Sequence, residues 1–551
     1  MACRQTTAEP ATIPALVADR ARRYGPATAV VDGEIRYPYA TLHAESVRVT
    51  RAAMAAGIRA GDRVALWAPN TAHWIVTALG LLGAGATLVP IGTRLRGAAA
   101  AAILRRTRCR ALFTVRGFLG IDYPELLAGC AELPDLRLTV VRSTVAPDAL
   151  DAEPVPAGTG TPRTLAWSAF LADGRRVSPA AAESRTAAIS PDAVADILFT
   201  SGTTGTPKGV LTTHRQTLTV MERWAEAVTI RHGDRYLLVN PFSHTFGYRA
   251  GIVACLLRGA TMVPVDHFDA NRVATLVDEQ SITVLAGPPT IFTDLLATGR
   301  RLPTVRLAGT GGTAIAPELV SRIRTELGIA GVFTGYGLTE SVGVVAICPP
   351  HATTEQLATT VGKPLRGSEI RIVDAAGQPV AAEVAGEILV RGPNVMAGYL
   401  DDPAATAAAV DTDGWLHTGD IGVLDRAGRL RITDRLRDMF IVGGFNVYPA
   451  EVEEILRRGP GVADVAVVGV PDQRLGEVGA AFVVPIDSES FDPRALLDWC
   501  REHLAGYQVP RVVRPVTALP RDASGKLRKS ELRTGRGGSA PHLSRRHVPG
   551  E

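Results

Sequence analysis

Thr200–Val210 reads TSGTTGTPKGV and follows directly on the apolar run Ala195–Phe199, ADILF. Gly202, Gly205 and Gly209 let a backbone turn tightly and bring its N–H groups near an anion. Thr200, Ser201, Thr203, Thr204 and Thr206 add hydroxyl donors, and Lys208 adds a cation. So many donors behind a strand suit a polyphosphate; the bland alternative is a flexible turn rich in Gly and Thr. The loop is not of the Walker A kind, because Pro207 precedes the lysine and Gly209 follows it, where that motif has Gly and then Ser or Thr.

Outward from this loop the chain alternates strand-like and helical runs. Asp62–Trp67, Ala86–Ile91, Tyr236–Asn240 and Ser281–Leu285 read as strands and Ala72–Leu82 as a helix. Apolar strands alternating with helices predict sheets covered on both faces. Residues 146–162, dominated by Pro, Ala, Gly and Asp, read as a surface loop between two subdomains. From Ser368 the texture changes to short strands, Glu369–Val373, Gly386–Val390 and Leu430–Thr433, separated by turns, as in a small β-barrel-like unit. After Asp438 comes a compact α+β segment, with helices at Ala450–Arg458 and Pro493–Leu504 and strands at Ala463–Val470 and Ala480–Val484. A domain boundary is expected near Asp434–Asp438, where the charged DRLRD interrupts the apolar pattern.

At 551 residues the chain exceeds what one core supports, so two or more domains are expected. A net charge of +4 and the lack of a basic stripe interleaved with aromatics give no reason to expect a nucleic-acid partner. Part of the surplus charge lies after Lys526, in a Gly-, Ser- and Arg-rich tail read as disordered. The six cysteines lie far apart, without the clustering of a zinc site or disulfide framework, which points to reduced thiols and a cytoplasmic protein. Ile75–Ile91 is apolar but short for a membrane span, contains Gly-Ala-Gly, and is better read as a buried helix followed by a buried strand.

Two further clusters carry chemistry. In Tyr336-Gly337-Leu338-Thr339-Glu340 the phenol can pack on a purine, Thr339 can bond a phosphate oxygen, and Glu340 can ligate Mg²⁺. In Trp415–Asp420, WLHTGD, Asp420 can accept from both ribose hydroxyls, or can simply cap a turn. Taken with Asp434–Glu453 (DRLRDMFIVGGFNVYPAEVE) and Leu519–Lys526 (LPRDASGK), these clusters resemble, in order, the motif set of the adenylate-forming superfamily, in its acyl-CoA synthetase and fatty-acid–CoA ligase branch. The likeness runs from about Ala15 to about Leu532.

The resemblance implies an α/β protein with a large N-terminal domain (1–434) built of two α/β sheet subdomains and the small β unit. A hinge at 435–437, a small mobile α+β C-terminal lid domain (438–535) and a tail (536–551) would follow, with ATP bound between the domains. It implies that Lys208 with Thr200, Ser201, Gly202, Thr203, Thr204, Gly205 and Thr206 holds the triphosphate, joined by Thr339, and that Glu340 holds Mg²⁺. Gly312, Thr313 and Ala314 would lie beside adenine with Tyr336 and Gly337, while Asp420 and Arg435 would hold ribose. Lys526 would reach the reacting carboxylate and α-phosphate; without the other motifs it would read as a solvated lysine in a Gly-flanked turn. Two anions must meet for adenylation, so cations and N–H donors must offset their repulsion. The hinge falls on Arg437, where relatives usually carry Lys or Asp, and Gly443 and Gly444 would line the passage of the pantetheine thiol of coenzyme A.

By the same resemblance His244, in Pro241–Gly247 (PFSHTFG), would gate or position the acyl carboxylate, the alternative being a packed histidine. Tyr248, Gly309–Gly312 and Gly337-Leu338 would shape the acyl pocket. No Asp or Lys stands where an amino-acid substrate would be recognised, which favours an apolar acid. Residues 241–264, Gly392–Asp402 and Gly469–Gly479 are similar to ligases of medium-chain or branched fatty acids, and most similar to those activating the bicyclic propanoate left by sterol-ring breakdown, though Ser243 stands where the latter have an aromatic. The expected reaction is ATP-dependent ligation of a fatty or bulky alicyclic acid to coenzyme A by a monomer or homodimer. The alternatives are loading of an acyl-carrier protein, nucleotide binding without catalysis, and a luciferase-type oxidation.

Overall fold

The computed structural model describes residues 10–95, 97–130, 132–144, 162–200, 208–311, 315–435, 438, 440–442, 445–447, 449–472, 475–504, 506–521 and 527–533. The chain divides into two compact units, one of Met1–Ile370 with Leu389–His417 and one of Arg371–Ile388 with Thr418–Glu551.

Among the described residues the first unit holds two nine-stranded sheets. One has a parallel centre, in the spatial order Thr28–Asp32, Thr261–Pro264, Arg235–Leu238, Val284–Ala286, Leu307–Gly311 and Gly331–Tyr336. Antiparallel strands close its edges, Ile35–Pro38 on one side and Ala346–Cys348 followed by Lys363–Pro364 on the other. The second runs Val194–Phe199, Thr87–Ile91, Arg63–Trp67, Ala111–Phe118, Leu138–Ser143 and Arg163–Ala166, all parallel. At its other edge Gly209–Thr213 and then Gly398–Tyr399 add antiparallel strands. The central strands are buried because helices cover both faces, which is why they read as unbroken apolar runs rather than alternating ones.

The apolar stretch Ile75–Ile91 divides into the buried helix Ala72–Gly83 and the buried strand Thr87–Ile91, as expected. Thr71 caps that helix by accepting the Trp74 N–H at 3.2 Å. Among the described residues no helix is long and apolar enough to cross a membrane. Two expected strands shift. Ser281–Leu285 becomes Val284–Ala286, because Ser281 turns at φ +48° and the Ile282 N–H returns to Val277 O, closing the preceding helix. Tyr236–Asn240 becomes Arg235–Leu238; beyond it the Asn240 carbonyl accepts from the Asn70 side chain at 2.8 Å.

The small β unit is a four-stranded sheet ordered Glu369–Val373, Gly386–Arg391, Leu416–Leu424 and Leu430–Arg435. The second unit's own sheet has Val462–Asp472, Gly476–Pro485 and Phe440–Val442 antiparallel in turn, with Val512–Pro515 parallel to Gly476–Pro485. Val452, Leu456, Leu496 and Cys500 of helices Pro449–Arg457 and Pro493–His503 join Phe440, Val465, Val467 and Val483 in one core. The expected strands and helices all appear, with ends within two residues except at the start of Gly476–Pro485, while Leu416–Leu424, Phe440–Val442 and Val512–Pro515 are strands the sequence reading did not expect. The expected hinge residue Arg437 and the tail 536–551 lie outside the described residues.

Candidate active site

The loop opened by Thr200 and closed by Lys208 joins Val194–Phe199 to the antiparallel Gly209–Thr213, so it is the tip of a β-hairpin. Its neck is fixed by the Thr200 N–H donating to Lys208 O at 3.0 Å. Ser201–Pro207 lie outside the described residues. A helix, His214–Ala227, starts only after the second strand and is capped by Thr213 and Gln216 in a reciprocal box. The helix that follows in the chain therefore starts one strand beyond the loop, whose closing residue Lys208 carries a positive charge.

Tyr336, Thr339 and Glu340 follow the carboxyl end of Gly331–Tyr336, where ligands of parallel sheets bind. Gly311 pairs with Gly335 at that same end; Gly312, Thr313 and Ala314, next in the chain, lie outside the described residues. After Tyr336 the chain doubles back so closely that a Cβ on Gly337 would stand 2.2 Å from Gly343 O. That turn ends in the 3-10 segment Thr339–Ser341, with Ser341 Oγ accepting the Leu338 N–H at 2.8 Å. A Cβ on Gly343 would be 3.0 Å from Thr245 Cβ, so this turn packs against the segment that carries His244.

His244 is exposed rather than packed, and Nδ1 accepts the Phe246 N–H at 3.3 Å. An accepting Nδ1 leaves the proton on Nε2, the tautomer that can donate to a carboxylate. The chain continues into a π-helical turn, Tyr248–Val253. Tyr248 is wholly buried, with its ring centroid 5.9 Å from that of Trp74. At Gly309 the space a side chain would occupy is taken by the Phe333 ring, itself edge-on to Trp224 at 6.0 Å.

The structure adds two features that sequence reading missed. One is Tyr399, whose hydroxyl donates to Glu340 Oε1 at 2.9 Å and whose ring lies 4.7 Å from Lys208 Nζ. Burial, reinforced by the Glu340 charge, pushes its phenol well up, so it stays a donor. Its one sequence signal was a Tyr after Gly398 in GPNVMAGYLDD. The other is a fully buried ion pair between Arg249, in the π-turn, and Asp196, in the strand entering the phosphate hairpin. Arg249 Nη2 also donates to Thr212 Oγ1, in the strand leaving it, at 2.7 Å. Asp196 Oδ2 and the Nε and Nη1 of Arg249 are buried without a hydrogen-bond partner. This pair ties both hairpin strands to the segment behind His244.

In the second unit Asp420 is buried, and its strand pairs it directly across from Arg435, so register brings the two expected ribose residues together. The Asp420 N–H donates to Thr418 Oγ1 at 3.1 Å, and that hydroxyl donates to Ile388 O at 2.7 Å. The connecting turn is set by Asp425, whose carboxylate accepts from the N–H groups of Ala427 and Arg429 at 2.9 and 2.8 Å and from Arg429 Nε at 2.6 Å. Gly443, Gly444 and Lys526 lie outside the described residues. The chain before and after Lys526 is held by a bridge between Arg521 and Leu527 and by Lys529, paired with Glu453 at 2.8 Å.

Comparison with known proteins agrees with this layout. Residues 17–400 match the AMP-binding enzyme family and residues 451–526 the AMP-binding enzyme C-terminal domain. The 3-[(3aS,4S,7aS)-7a-methyl-1,5-dioxo-octahydro-1H-inden-4-yl]propanoyl:CoA ligase of Rhodococcus jostii is 47% identical over 532 residues, covering 96% of this chain and 99% of that one. The ligase of the same name from Mycobacterium tuberculosis is 47% identical over 526 residues, 95% of this chain and 98% of that one. The ATP-bound crystal structure of MatB from Rhodopseudomonas palustris superposes with a TM-score of 0.83 at 27% identity, covering 96% of this chain and 99% of that one.

Proposed function

The chain belongs to the AMP-binding enzyme family, and on that premise we propose that it converts a bulky alicyclic propanoate-like acid, or a fatty acid, to its coenzyme A thioester. It is an AMP-forming acyl-CoA synthetase: ATP and the acid give an acyl-adenylate and pyrophosphate, and the thiol then displaces AMP. The 47% identity to the two indenyl-propanoyl ligases supports the alicyclic acid over the fatty one. The observation that carries the reading is the meeting of the Lys208 ammonium and the Glu340 carboxylate on one phenol, at the neck of a hydroxyl-rich loop.

In this reading Lys208 and the loop hydroxyls of Thr200–Thr206 bind the triphosphate, and Thr339 bonds one of its oxygens. Tyr336 with Gly337 and Gly312–Ala314 receives adenine, and Asp420 with Arg435 holds ribose. Glu340 suits Mg²⁺, which keeps waters and takes one or two carboxylates beside substrate phosphates. When bound, the ion would neutralise phosphate charge. His244 donates from Nε2 to the acid carboxylate and orients it toward the α-phosphate. Lys526 stabilises the charge growing there. Gly443 and Gly444 leave room for the thiol, 435–437 act as hinge between an adenylation domain (1–434) and a lid domain (438–535), and the enzyme works in the cytoplasm.

Pyrophosphate release across straight, branched, aromatic and steroid-derived acids, with and without coenzyme A and with thioesters identified by mass spectrometry, tests this. A coenzyme-A-dependent thioester with alicyclic propanoates is the expected result. Adenylate formation without any coenzyme A product would refute it in favour of a carrier-protein acceptor.

A further inference from the structure

Tyr399 sits in the two-residue strand Gly398–Tyr399, paired through Val210 with the strand that leaves the phosphate loop. Backbone bonds pin its segment on both sides: the Met396 N–H donates to Glu340 O at 2.9 Å, and the Leu400 N–H to Gly209 O at 2.8 Å. The side chain is thereby delivered to two charged groups by main-chain geometry. It carries the Lys208 ammonium on its ring face, 4.7 Å from the centroid, and the Glu340 carboxylate on its hydroxyl at 2.9 Å.

An ammonium and a carboxylate in one half-buried site attract strongly, and once paired neither is available to a ligand. Resting on the reading that Lys208 serves the triphosphate and Glu340 its cation, we propose that Tyr399 is a positioning residue that keeps Lys208 and Glu340 from neutralising each other before the nucleotide arrives. The ring face holds the ammonium by a cation–π contact. The hydroxyl holds Oε1 and leaves Oε2 to face a cation, as outer-shell donors orient metal-ligating carboxylates. The two halves of the phenol therefore have separable tasks.

Equilibrium binding separates them. Tyr399→Phe, Tyr399→Leu, Glu340→Gln and the Tyr399→Leu/Glu340→Gln pair are compared with the parent chain after thermal melting confirms that each is folded. Mn²⁺ affinity is read by electron paramagnetic resonance with α,β-methylene ATP present, and metal-free affinity for the same analogue by calorimetry in EDTA. Tyr399→Phe keeps the ring, so Mn²⁺ affinity falls about tenfold while metal-free nucleotide binding stays within about twofold. Tyr399→Leu lowers both, and adding Glu340→Gln restores metal-free binding by removing the anion that captures Lys208. A double variant no better than Tyr399→Leu, or Tyr399→Phe binding Mn²⁺ like the parent, overturns the proposal while leaving the assignment of Glu340 intact. Unchanged Mn²⁺ affinity in Glu340→Gln instead overturns the metal assignment, and with it the role of the hydroxyl.

Discussion

Replacing Arg249 by Met removes one partner of an ion pair in which neither side chain has any exposure. Asp196 is left as a buried carboxylate whose Oδ2 already lacks a partner, and Thr212 Oγ1 loses its 2.7 Å donor. Breaking such a pair costs about 3–5 kcal/mol, a large part of the roughly 5–15 kcal/mol that holds a domain folded. Replacing both charges by apolar groups, Asp196→Val with Arg249→Met, is close to neutral in comparable sites. The residual penalty is the unpaired Thr212 hydroxyl, about 1 kcal/mol. Urea unfolding followed by circular dichroism and tryptophan fluorescence, on both single variants and the double, should give a coupling energy of at least about 2 kcal/mol. Burial raises the Asp196 carboxyl above its usual range even with Arg249 opposing it. Without Arg249 it rises further, so the folded state takes up a proton that the unfolded chain, ionising near 4, releases. The Arg249→Met deficit should then be larger at pH 8 than at pH 5. Single variants that lose under about 1 kcal/mol, or costs that simply add, would refute the view that this pair is one unit.

Lys526→Ala is expected to abolish adenylate formation while preserving thioester formation from supplied acyl-adenylate; isotope exchange between pyrophosphate and ATP, with a separate thiolysis assay, checks this, and equal loss in both steps counts against it. Gly337→Ala puts a methyl 2.2 Å from a backbone oxygen, so the Thr339–Ser341 turn must move. A melting temperature lowered by several degrees and a raised metal requirement for adenylation should result. His214 is buried and its pKa is pushed down to about 4, chiefly by burial. The unfolded chain takes up a proton below about 6.5 while the native ring stays neutral to about pH 4, so up to about 3 kcal/mol is lost across that interval on acidification. His214→Gln should flatten the stability profile between pH 6.5 and 4, read by urea midpoints.

The legible parts of the chain were those set by local chemistry. Ala72–Gly83 and Pro493–His503 carry caps at Thr71 and Asp492 and periodic apolar faces, and both lie within a residue of their expected bounds. Val284–Ala286 was misjudged at its start because Ser281 and Ile282 are as strand-tolerant as Thr283 and Val284, yet they close a helix through Val277. The Asp420–Arg435 pairing was implied by family likeness, and cross-strand register accounts for it physically. Tyr399 and Glu340 lie 59 positions apart, and Asp196 and Arg249 lie 53 apart. Neither contact has a local pattern; each exists only once a strand residue meets a turn from a distant part of the chain, the 3-10 turn for Glu340 and the π-turn for Arg249. Fold class was therefore readable from periodicity, and the nucleotide motifs from composition, while the links that hold those motifs in place were not.

The turn set by Asp425 has a bearing on what lengths this chain can tolerate. Five residues, Asp425 to Arg429, set the pairing of Leu424 with Leu430, and an extra residue at Thr433 then shifts the ladder so that Arg435 rather than Asp434 stands opposite Asp420. Register in an antiparallel pair is counted residue by residue, so a single codon gained or lost in that turn would put Arg435 out of step with Asp420. Surface turns usually absorb such changes cheaply. In related genes this one should keep Asp425 and Gly428 and accept length changes almost never, and a one-codon insertion made deliberately should cost nucleotide affinity before it costs folding.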